Sequence, residues 1–64
     1  MSPAQVESRL EWSEVDGNYA ADTRRMMRDE RFSLQAALRS GDAAKIAAAR
    51  DEAVRVAKMW GVKI

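Results

Sequence analysis

The chain has 64 residues, 11 Lys and Arg against 10 Asp and Glu, and neither His nor Cys. Those absences exclude a histidine base, a thiolate nucleophile, soft metal ligands and any disulfide. A chain this short makes one domain at most, and such a domain hides only about 60% of its unfolded surface.

The net charge of +1 conceals an asymmetry. Residues 1–23 carry five acids against Arg9, a net of −4, and residues 24–64 carry ten bases against five acids, a net of +5. A split of this kind suits an electrostatic partner or head-to-tail self-contact. No apolar run reaches the length of a membrane span, and no basic stretch leads into an apolar one as in a signal peptide. A chain without Cys fits a reducing compartment, so a cytoplasmic location is expected. The excess of Arg over Lys with abundant Ala matches a bacterial or phage coding bias.

Ser2-Pro3-Ala4-Gln5 opens the first predicted helix. Ser2 caps it, Pro3 suits the first helical position, and Gln5 completes a capping box. This helix is expected over residues 3–15, ahead of the turn signal Asp16-Gly17-Asn18. The alternation Val6-Ser8-Leu10-Trp12 also permits a strand, but the cap and the helix formers around it favour a helix.

A second helix is expected over residues 19–39, capped by Asp16 or Asn18. At about 100° per residue, Tyr19, Thr23, Met26, Met27, Glu30, Leu34, Ala37 and Leu38 share one arc without a break in phase. Gly41 supplies a left-handed stop, and Asp42 caps a third helix expected over residues 43–60. There Ile46, Ala49, Ala53, Val56 and Trp60 repeat at 3-4-3-4 spacing, a seam that places Trp60 in the core. Gly61 ends the helix, and Val62 or Ile64 is placed to fold back onto its last turn.

The fold expected is therefore all-α: a short N-terminal helix followed by a long antiparallel hairpin, associated into a dimer or larger bundle to bury more surface. The phrase Ala36-Ala37-Leu38-Arg39-Ser40-Gly41-Asp42 resembles the turn of one helical hairpin of the tetratricopeptide type. The likeness covers that single turn, and no second copy follows.

Four groupings bear on function. Arg24, Arg28 and Arg31 form a stripe roughly opposite the apolar arc, with Arg25 beside it. Such a stripe suits nucleic-acid phosphates or is simply a solvated face. Glu7, Glu11 and Glu14 form an acidic ladder. These are hard oxygen ligands, but no Glu-x-x-His motif accompanies them, so a solvated face or a contact with a neighbouring subunit's arginines is expected instead. Trp12 stands about 120–160° from Val6 and Leu10 on the helical wheel, and Phe32 lies far from the arc of its own helix. Two aromatics off their stripes imply a second buried face. It is supplied either by a compact monomer whose three helices wrap both sides or by an interface, where aromatics and Arg are favoured anchors and Arg25 and Arg28 flank Phe32; the small core favours the interface. Finally, Tyr19 and the serines lack a histidine base, Lys45 and Lys58 hold no spacing that makes a Ser–Lys pair, and no glycine-rich phosphate loop exists.

The expectation is a non-enzymatic protein without cofactor, metal or small-molecule substrate. It acts by binding a protein partner or itself through Trp12, Arg25, Arg28 and Phe32, as an adaptor, assembly factor or inhibitor. One alternative is a nucleic-acid-binding regulator using Arg24, Arg28 and Arg31. Another is a structural subunit of a large assembly.

Overall fold

The structure, a computed structural model, describes residues 1–64 and contains three helices: α1 (Pro3–Val15), α2 (Ala21–Ser40) and α3 (Ala43–Met59). No helix is long and apolar enough to cross a membrane.

Each boundary has a local cause. At the start of α1 the Ser2 hydroxyl accepts from the Gln5 N–H at 3.2 Å, while the Ser2 N–H donates to the Gln5 side-chain oxygen at 2.8 Å. This reciprocal pair satisfies two of the donors that every helix start leaves free. Between α2 and α3, Gly41 adopts φ 68° and the Asp42 carboxylate accepts from the N–H groups of Ala44 and Lys45. That tight turn sends α3 back along α2.

α2 begins two residues later than the phase of its apolar arc implies. Neither Asp16 nor Asn18 caps it. The Asp16 carboxylate instead accepts from the Asn18 N–H at 2.9 Å, which closes the turn after α1. Ala20 holds the cap position without a side-chain hydrogen bond. Tyr19 therefore belongs to the turn, although its ring still rests against the core.

The core consists of Val6 and Leu10 from α1, Met27 and Leu34 from α2, Ala53 and Ala57 from α3, and Val62 from the tail. Ser13 and Thr23 are also buried, and the Ser13 hydroxyl donates to the Leu10 carbonyl at 2.6 Å. α2 is the central element. It packs against both neighbours, whereas α1 and α3 meet only sparsely.

The seam of α3 differs from the expected one. Ala53 and Ala57 are its buried members, Ile46, Ala49 and Val56 are half-buried, and Trp60 is 40% exposed. Trp60 lies one residue past the helix, at its cap. The chain then turns at Gly61, with φ 73°, and the Val62 N–H donates to the Ala57 carbonyl at 2.8 Å. The Gly61 N–H donates to the Lys58 carbonyl at 3.1 Å. This paired glycine cap seats Val62 on the last turn of α3, so Val62 fills core space that the 3-4 pattern assigns to Trp60.

Candidate functional site

α1 presents two opposed faces. Glu7 and Glu14 face α2: Glu14 receives two hydrogen bonds from the Arg31 guanidinium, the one from Nη2 being 2.8 Å, and Glu7 accepts from Gln35 Nε2 at 3.2 Å. Both partners belong to the same chain, so the acidic ladder is not reserved for a neighbouring subunit. These bonds hold the Arg31 guanidinium still more firmly protonated than usual, the hydrogen bond to Glu14 being the main cause. No three carboxylates converge where they could hold a metal ion.

Trp12 lies about 140–160° around α1 from Glu7 and Glu14, on the side turned away from α2. It is 72% exposed, and Val15, one turn on, is 70% exposed. With Ser8 and Glu11 these two residues line a shallow recess. On the flank of α1 nearer the tail, Trp12 and Val15 also border a hollow of about 520 Å³ that includes Arg9, Tyr19 and Lys63. The Tyr19 hydroxyl accepts a long hydrogen bond of 3.4 Å from the Lys63 N–H, which ties the turn to the tail beside this hollow.

The other expected anchors lie elsewhere. Phe32 is 51% exposed on the outer face of α2, opposite Met27 and Leu34 on the wheel, and its ring carries the Arg31 guanidinium 5.0 Å from its centroid. It lines none of the hollows that Trp12 lines. Arg25 pairs with Asp22 at 3.3 Å on the surface. Arg24, Arg25 and Arg28 gather around a polar depression near the start of α2, together with Asp22 and Glu14. The structure thus groups Arg25 with Arg28 but separates both from Trp12, and Phe32 stands apart from all three hollows.

The arginine stripe is likewise divided. Arg31 is committed to Glu14 and Phe32, leaving Arg24 and Arg28 with their charges near an acid-containing depression. Sequence reasoning missed Val15, Arg9 and Lys63. Val15 was accessible to it, three residues from Trp12 on the same face. Lys63 was not, because its place depends on the tail returning after Gly61.

No protein-family model, curated protein or solved structure matches this chain.

Proposed function

We propose that the protein is a non-enzymatic binding module that docks on another protein, or on a second copy of itself, through the outer side of α1. The observation that carries this reading is the exposure of Trp12 and Val15 side by side. A tryptophan left in water forgoes about 2–3 kcal/mol of burial, a large sum for a chain with nine buried residues. An interface recovers that sum, and Trp is a common energetic anchor there. Phe32 is a weaker candidate because the Arg31 guanidinium already covers one face of its ring. The roles open to such a module are adaptor, assembly factor, inhibitor or subunit of a larger structure.

The test is site-specific photocrosslinking in the native cell, with a photoreactive amino acid in place of Trp12 or of Phe32. A discrete crosslinked polypeptide, or a crosslinked dimer, is expected at position 12 and not at position 32. Crosslinking to no polypeptide at either position overturns the proposal.

A second reading has one observation behind it, the convergence of Arg24, Arg25 and Arg28 near the start of α2. Nucleic-acid binding through that cluster predicts affinity that falls steeply with salt. A filter-binding titration tests it, and absence of binding at low salt rejects it.

A further inference from the structure

The largest hollow of the molecule runs between the start of α1 and the C-terminal tail, with a volume of about 880 Å³. Its apolar lining comes from Met1, Ala4, Val62 and Ile64. Its charged side chains are Arg9, Lys58 and Lys63, and no acidic side chain borders it. It shares Arg9 and Lys63 with the hollow that Trp12, Val15 and Tyr19 border. The two hollows adjoin at these side chains and together follow one side of α1, whose 13 residues give a length of about 20 Å. Among the side chains lining the two hollows the sole acid is Asp16, at the far end, already accepting a backbone N–H, while Glu11 borders only the recess on the other side of Trp12 and Val15.

Charge elsewhere in the molecule is mixed. The depression around Arg24 includes Asp22 and Glu14, and the one on α3 includes Asp51 beside Arg50 and Arg55. Arg9, Lys58 and Lys63 belong to no ion pair. Three unpaired cations around an apolar floor ask for an occupant with apolar side chains and negative charge together. The concave section and the length suit a rod about three to four helical turns long. A phosphate chain leaves Trp12, Val15 and Ile64 without apolar partners.

We propose that this groove receives an acidic amphipathic helix of a partner protein. Its apolar stripe would rest on Trp12, Val15 and Ile64, and its carboxylates would face Arg9, Lys58 and Lys63. The inference rests on the protein-binding reading above and gives it a partner chemistry. This is helix-in-groove recognition, in which apolar anchors supply affinity and complementary charge supplies register and association rate.

The experiment selects displayed peptides of about 16 residues, about 24 Å long as helices, from a randomised library against the full chain. Binding of the selected peptides is then read from Trp12 fluorescence in a Trp60→Phe background. The expected peptides carry apolar residues at i, i+3 or i+4, and i+7, flanked by Asp and Glu. Their affinity should fall at least about tenfold on raising salt from about 0.05 to 0.5 M. Arg9→Ala and Lys63→Ala should each weaken binding by about tenfold in this assay, and Trp12→Ala should do the same when binding is read by calorimetry, with circular-dichroism melts unchanged and Arg39→Ala without effect.

Selected peptides that are basic or unpatterned overturn the proposal. So does a stronger Trp12 response to anionic phospholipid vesicles or to an oligonucleotide. Peptides that bind but respond to Phe32→Ala and not to Arg9→Ala sink this groove and leave the protein-binding reading standing. Failure to select any peptide, with the chain monomeric by light scattering, sinks both.

Discussion

Glu30 shows how a single side chain can work against the fold around it. It lies on the buried arc of α2, half-covered, with Oε1 shielded from water and no donor to meet it. Burial raises its pKa above the ordinary 4.5, and the neighbouring Glu52 carboxylate raises it further, against a smaller opposing effect of Arg55. The folded state therefore holds this proton more tightly than the unfolded chain does. Stability contributed by the protonated form is fully present below pH 4.5 and is lost as pH rises from there through the higher folded value. Glu30→Gln, which keeps the size and removes the charge, should stabilise the protein at pH 7 by about 0.5 kcal/mol, a figure reduced for solvent screening. The gain should shrink toward pH 4.5, as followed by urea unfolding across pH. A gain that stays constant with pH would mean that the charge is not its cause. Glu14 is the opposite case, a largely covered carboxylate held by two bonds from Arg31. Glu14→Gln should cost about 1–2 kcal/mol by leaving the guanidinium short of its partner. Adding Arg31→Met should restore part of that loss, and a double-mutant cycle on unfolding free energies measures the coupling.

The three helices are fixed as much by their ends as by their faces. α1 is closed by a capping box and α3 by the Asp42 carboxylate, whereas α2 starts without a side-chain cap. The cap at Gly61 matters most, because it carries Val62 into the core and sets the tail beside α1. A Cβ at position 61 would meet no atom within 4 Å, so the cost of Gly61→Ala is backbone strain alone. That cost should be about 1 kcal/mol. Val62→Ala should cost about 1–2 kcal/mol through lost burial. Both variants are checked by urea midpoints. Gly61→Ala should also alter the groove, visible as a changed Trp12 emission in a Trp60→Phe background, while a change equal to that of Gly41→Ala would show that the tail has no special role.

At the scale of the whole molecule, a rod-like body of 34 × 17 × 16 Å hides nine residues and leaves Trp12, Val15, Phe32 and Met59 in water. With so small a core, stability is limited, and a bound partner should raise the melting temperature in proportion to the logarithm of its concentration. The exposed aromatics should separate stability from binding. Trp12→Ala and Phe32→Ala should each change unfolding free energy by less than about 0.5 kcal/mol, as exposed sites do. Trp12→Ala should weaken partner binding by about tenfold while Phe32→Ala weakens it little, as measured by calorimetry with the crosslinked partner. Equal losses from both would restore a single interface spanning α1 and α2.

The sequence by itself determined the local structure. The box at Ser2 and Gln5, the stops at Gly41 and Gly61, the cap at Asp42 and the apolar arc of α2 all act within a few residues. Their effects are short-range, and chemistry confined to one or two turns is readable from residue types. The angle of Trp12 and Phe32 away from their own stripes followed for the same reason, but that no other helix covers them was decided by the tertiary structure. Tertiary structure alone decided what faces what across the molecule. It joined Glu14 to Arg31 over 17 residues, spent Asp16 on a turn instead of a cap, put Val62 where the α3 pattern places Trp60, and divided Trp12 from Phe32. It also brought Lys63 beside Arg9 and Trp12. These outcomes depend on how helices rotate against one another and on where a tail returns. No periodicity within one helix records that rotation, because it is fixed by packing between elements.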